Sequence, residues 1–206
     1  MKYFLDTEFI EGFKKPISWL PTVGNFNKAY HSIQLISIGI VCEDGREYYA
    51  VSSEFEARDA SEWVMENVIR PIFDSWKYEL NGKIVRLVLS IPLNEMEFSR
   101  KNLKYCIGLV GKSNRQIANE VVDFITGCEY SVNSYLDFKI SPEFYAYYAD
   151  YDWVLFCSLF GTMMDLPKGF PMYCVDLKQT LDEEQKYKHE RYKVGSLKEF
   201  ATYPKQ

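Results

Sequence analysis

The sequence predicts an α/β domain in which one mixed β-sheet is flanked by helices. Three observations carry that prediction. An apolar N-terminal run is followed by a β-branched hairpin pattern, a capped amphipathic helix starts near residue 113, and an aromatic strand near residue 145 runs into a helix. Strands, helix, strand and helix in that order bring parallel and antiparallel pairs into one sheet.

The elements follow along the chain. Tyr3, Phe4 and Leu5 read as a strand that ends in Asp6, and Glu11 to about Lys28, with Pro16 and Pro21, reads as a loop. Ser32 to Cys42 is rich in β-branched residues, Glu43-Asp44-Gly45 is a turn signal, and Arg46 to Val51 is the returning strand. Ser61 to Trp76 places Trp63, Val64, Val68 and Ile72 at helical spacing, and Pro71 predicts a break or kink. Asn81-Gly82 between two apolar runs is a hairpin cue. Ser113 with Gln116 forms a capping-box pattern ahead of Ile117, Val121, Val122 and Ile125, and Gly127 ends that helix. Glu143 to Ala149 reads as an aromatic strand, Tyr151 to Gly161 as a helix, and Val175 to Glu184 as another helix. The stretch from about Trp76 to Lys112 reads as an insertion beside the sheet.

Composition bounds the class. The 206 residues make one domain spanning 1–206, without repeats, low-complexity tracts or a linker. With 16 Tyr, 14 Phe and 4 Trp, the chain can build a core that needs no disulfide or structural metal. Five cysteines without a C-x-x-C pair predict a reduced, cytoplasmic protein. No apolar run approaches the roughly 18 residues of a membrane span. A net charge of −5 argues against a protein that holds nucleic acid by bulk electrostatics. It leaves room for an enzyme whose carboxylates are the site, because bound dications reverse the local sign.

Asp6-Thr7-Glu8 is the sharpest motif. Residues i and i+2 of a strand share a face, so both carboxylates converge, and carboxylate oxygens suit Mg²⁺ or Mn²⁺. A solvated strand end is the plain alternative. The second motif is Tyr145-Ala146-Tyr147-Tyr148-Ala149-Asp150-Tyr151-Asp152-Trp153, again acids after an apolar strand. A helix cap accounts for one of the two acids and leaves the other over.

Three stretches together resemble the DEDD-type 3′–5′ exonucleases, nearest their compact bacterial and phage exoribonuclease branch. They are Phe4 to Glu11 around Asp6-Thr7-Glu8, Ile33 to Gly39, and Asp44 to Ser52. Tyr151-Asp152-Trp153-Val154-Leu155 extends the match, with segments 11–30 and 76–140 as insertions relative to compact members. The resemblance implies an RNase H-like fold and two-metal phosphodiester hydrolysis using two Mg²⁺ or Mn²⁺ ions. It gives Asp6, Glu8 and Asp152 the roles of metal-binding catalytic carboxylates, and prefers Asp152 over Asp150 because the motif acid directly precedes the apolar helix start. It implies that Phe9 packs on the 3′-terminal nucleotide. The expected partner is single-stranded nucleic acid with a free 3′ end, RNA in the first place. A DNA-directed 3′–5′ exonuclease and a non-catalytic nucleic-acid-binding relative are the alternatives, and the oligomeric state is open.

The sequence departs from that family in one respect. Its last motif pairs a His with an Asp five residues on, but the fifth residues after His31 and His189 are Ile36 and Val194. Tyr173 and Asp176 are only three apart, so the tyrosine variant of the motif fails as well. The expectation is a chain cut short before that motif and nearly inert by itself. Elsewhere, residues 100–115 carry Arg100, Lys101, Lys104, Lys112 and Arg115 without an acid. Lys101, Lys104 and Lys112 are therefore the candidates for following a phosphate backbone.

Overall fold

Tyr3, Leu5, Thr7 and Phe9 alternate with Phe4, Asp6, Glu8 and Ile10, and that period of two decides which side of the sheet each one serves. They lie on β1 (Lys2–Lys14), the central strand of a five-stranded sheet ordered β3-β2-β1-β4-β5. The computed structural model describes residues 1–14, 30–79, 97–127 and 141–187. β2 (Tyr30–Cys42) and β3 (Glu47–Val51) run antiparallel, as the hairpin pattern predicts, with Gly45 supplying the left-handed residue of the turn at φ 88°. β4 (Glu143–Ala146) lies parallel to β1, and β5 (Val175–Asp176) parallel to β4. The sheet is mixed and helices flank it.

A bulge in β2 sets the two cores. Glu8 pairs with Ser37 and Phe9 with Leu35, so Ile36 is the extra residue. Leu35 then joins Tyr3, Leu5, Ile38 and Ile40 under α4 (Asn114–Thr126) and α5 (Ala149–Ser158). Ile36 turns to the opposite face, where it joins Ile10, Val51 and Phe55 beneath α2 (Arg70–Glu79) and α3 (Arg100–Val110).

The helices show where sequence patterns carry and where tertiary context overrides them. Ser113 accepts from the Gln116 amide, the Gln116 side chain returns to Ser113, and Gly127 caps the other end of α4 at φ 69°. Ser113→Ala is expected to cost about 1 kcal/mol, read as a lowered midpoint in urea unfolding. Pro71 neither breaks nor ends its helix. α1 (Glu62–Val64) passes through a π-helical turn, Met65–Ile69, into α2, and the Arg70 amide bonds to Met65 O. Widening the turn accommodates a ring with no amide hydrogen.

Several boundaries differ from the sequence pattern. Glu11 to Lys14 continue β1 instead of opening a loop, because β2 pairs with them through Tyr30. β4 stops at Ala146, and Ala149 already belongs to α5. Val175 and Asp176 form an edge strand, and the helix starts only at residue 177. The Asn81-Gly82 cue lies outside the described residues, as do 15–29, 80–96, 128–140 and 188–206. Within 76–140, α3 and α4 pack into the two cores.

Candidate active site

The site forms where β4 ends and leaves one edge of β1 free. The parallel register stops at Phe4 against Tyr145, so Thr7 has no strand partner on that side. The chain turns through Tyr148, which sits in the left-handed region at φ 60°, and α5 begins at once. Such a conformation is costly for an aromatic residue, and here it aims the first turn of α5 back at β1.

Asp152 fills the gap. Its Oδ1 accepts the Thr7 backbone amide at 2.8 Å and the Thr7 hydroxyl at 2.6 Å. Both residues are buried, at 6% exposure each. Oδ1 thus does a missing strand's work and holds the carboxylate at a fixed place on the β1 edge. Asp150, two residues earlier, is exposed on the other side of that turn.

Asp6 and Glu8 flank Thr7 and point to the opposite face of β1, where both reach solvent. Desolvation nevertheless pushes the Asp6 carboxyl above its ordinary range. Glu8 is raised by desolvation and then by the charges of Asp6 and Asp152. Asp152 is also raised, by burial first, with the Thr7 hydrogen bonds opposing and the Asp6 charge adding. The Asp6 charge therefore reaches Glu8 and Asp152, the Asp152 charge reaches Glu8, and among the described residues no Lys or Arg pairs with the three acids. Such repulsion is what a hard cation relieves. The side chains are not gathered into a cage, since among the described residues no three His, Cys, Asp or Glu stand together as a ready ion site. The all-oxygen donor set suits Mg²⁺ or Mn²⁺ in its chemistry.

The neighbours take other parts. Burial, followed by the charges of Asp152 and Asp176, pushes the Cys174 thiol up to about 12, so in the absence of a cation it stays protonated at neutral pH. Asp176 is committed to backbone amides. Oδ2 accepts from Ala149 at 3.1 Å, and Oδ1 accepts from Lys178 and Gln179 at 2.7 and 3.1 Å. Burial works against its charge, but those amides prevail and hold its pKa below the ordinary value.

Phe9 is half-buried against the α4/α5 core and stacks on Tyr151, with ring centroids 5.2 Å apart. It stands on the Thr7 face, opposite Glu8. His31 pairs with Glu11 at 2.8 Å, and His189 lies outside the described residues. Lys101 and Lys104 are exposed on α3. Lys112 is engaged at 2.5 Å by Glu120, which also accepts from the Tyr48 hydroxyl.

Two things here escape the sequence. Thr7 reads as filler between two acids, although period-two alternation already turns it toward the helix face. The Phe9–Tyr151–Glu11–His31 chain of contacts joins β1, β2 and α5, and no local pattern marks it.

No protein-family model matches the chain. Two curated relatives do, both called 3′–5′ exoribonuclease, from Mycobacterium tuberculosis strains CDC 1551 and H37Rv. Each is 30% identical over 183 residues, which is 89% of this chain and 75% of the relative. That similarity covers more than two thirds of both chains. The chain belongs to the 3′–5′ exoribonuclease family.

Proposed function

We propose that the protein is a metal-dependent exonuclease of RNase H-like fold that shortens single-stranded RNA from its 3′ end. One observation carries the reading: Asp6, Glu8 and Asp152 lie around one stretch of β1, all three are raised by burial with the Asp6 charge adding to Glu8 and Asp152, and none has a basic partner among the described residues. Those three carboxylates would hold the ions. Two Mg²⁺ or Mn²⁺ ions would supply an activated water and charge stabilisation at the leaving oxygen. Thr7 keeps Asp152 in place on the strand edge, which gives the site the rigidity such chemistry needs. Phe9 and Tyr151 present an aromatic stack beside the acids for the terminal nucleotide.

The test is a 5′-labelled oligoribonucleotide incubated with Mg²⁺ or Mn²⁺. A ladder descending from full length, slow because these 206 residues hold no His–Asp pair five apart and abolished by EDTA, is expected. Internal cleavage, or turnover without a dication, would overturn the reading. Equal rates on DNA would make it a DNA exonuclease, and binding without shortening would make it a binding relative.

The strand path has its own expectation. Exposed Lys101 and Lys104 are free to meet phosphates, whereas the Lys112 charge is spent on Glu120. Replacing Lys101 and Lys104 by Ala should reduce the slope of log affinity against log salt by about 0.7 for each lost contact. Lys112→Ala should leave the slope nearly unchanged.

A further inference from the structure

Glu11, His31 and Tyr151 form a second polar group beyond the acids, on the α5 face of the sheet. The Tyr151 hydroxyl donates to Glu11 Oε1 at 2.9 Å, and His31 Nε2 stands 2.8 Å from the same oxygen. Phe9 stacks on the Tyr151 ring, and Phe13 meets the His31 imidazole edge-on at 5.7 Å. His31 first and Tyr151 second hold the Glu11 carboxyl below its ordinary pKa, so it is ionised at neutral pH. Glu11 and His31 are each 46% exposed, and among the described residues Glu11 Oε2 and His31 Nδ1 have no partner.

We infer that Glu11, oriented by His31 and Tyr151, binds a ribose 2′-hydroxyl of the RNA strand and so selects RNA over DNA. This rests on the exoribonuclease reading above and names the group on the substrate that is recognised. An ionised carboxylate repels phosphate, so the ligand of this cluster is an uncharged donor. A hydroxyl donates to Oε2, while the ionised carboxylate fixes Nε2 as a proton-bearing nitrogen of His31 and so holds Glu11 in place. The Tyr151 ring, 40% exposed, gives the attached base a surface to lie on. Tyr151 directly precedes Asp152 on α5, and Glu11 follows Glu8 by three residues on β1, so the cluster and the acids are carried by the same two elements.

The experiment measures binding in EDTA, where no hydrolysis can occur. Fluorescence anisotropy would compare 5′-labelled RNA and DNA decamers of one sequence with RNA decamers carrying a single 2′-deoxy nucleotide at each of the last three positions. Wild-type protein should bind RNA about tenfold more tightly than DNA, with most of that loss reproduced by one 2′-deoxy position. Glu11→Gln and His31→Ala should bring the RNA-to-DNA ratio close to one by weakening RNA binding while DNA binding stays unchanged. An unchanged ratio in both variants overturns the inference. So does a loss that follows base identity instead of the 2′-position. Hydrolysis of RNA with an unchanged ratio leaves the exoribonuclease reading standing and removes this one. A ratio that collapses in the variants, in a protein that never hydrolyses RNA, does the reverse. Failure to bind either decamer in EDTA removes this inference and leaves the exoribonuclease reading to the hydrolysis assay.

Discussion

Asp6→Asn is expected to abolish the proposed metal-dependent shortening of RNA and to raise the melting temperature of the metal-free protein. Both outcomes have the same origin. Folding pushes the Asp6 carboxyl up, and its charge in turn raises Glu8 and Asp152, so the ionised site costs stability in the absence of a cation. A group whose folded pKa lies above its unfolded value stabilises fully below the unfolded value, about 3.9 for Asp. That contribution is lost as pH rises through the raised value. Asn mimics the protonated state at every pH. The variant should therefore be more stable than wild type at neutral pH, and the two should converge as the pH falls toward about 4. Activity should drop by more than the 10–100-fold typical of changes to groups that merely support a metal ligand. Saturating Mg²⁺ should reverse the stability order, since ion at a hundred times its dissociation constant adds about 2.7 kcal/mol to wild type. Thermal melts with and without Mg²⁺ across that pH range check each step. A variant that keeps the wild-type metal response would remove Asp6 from the site.

The second large effect separates two duties of Asp152. Asp152→Asn keeps an acceptor oxygen for the Thr7 amide and hydroxyl but removes the charge. By the same linkage its metal-free stability at neutral pH should be no lower than that of wild type, while RNA hydrolysis falls at least a hundredfold. Asp152→Ala removes the acceptor and leaves the Thr7 amide buried and unpaired at the strand edge. That costs about 1–3 kcal/mol in addition to the activity. Urea midpoints for the two variants, set beside their turnover, give the comparison. Equal loss of stability in both would mean that the charge itself, and not the hydrogen-bond geometry, anchors α5 to β1.

The hairpin, the α4 cap and the N-terminal strand are legible in the sequence because each is specified locally, by Gly45, by Ser113 with Gln116, and by the period of β1. The acids were legible as types and spacing. Their meeting was not, because Asp152 reaches Thr7 across 145 positions of chain and only the parallel pairing of β1 with β4 brings them together. β5 was missed for a related reason: two residues at a sheet edge carry no period, and Asp176 also reads as a helix start because it caps one. Pro71 shows the converse case. A strong local breaker was absorbed by a π turn because Val68, Ile69 and Phe73 on either side are fixed in the core.

The bond from Thr7 to Asp152 also bears on when the site comes into being. Synthesis proceeds from the N-terminus at about 5–20 residues per second. Asp6 and Glu8 therefore leave the ribosome early, and Asp152 follows roughly seven seconds or more after them at that pace. Closing so long a loop is among the slower steps of folding. Until β4 has docked on β1 and α5 has turned back, the nascent chain holds two acids on a strand and no hydrolase. A chain tethered to its own messenger thus gains the power to degrade RNA only when most of its fold is complete.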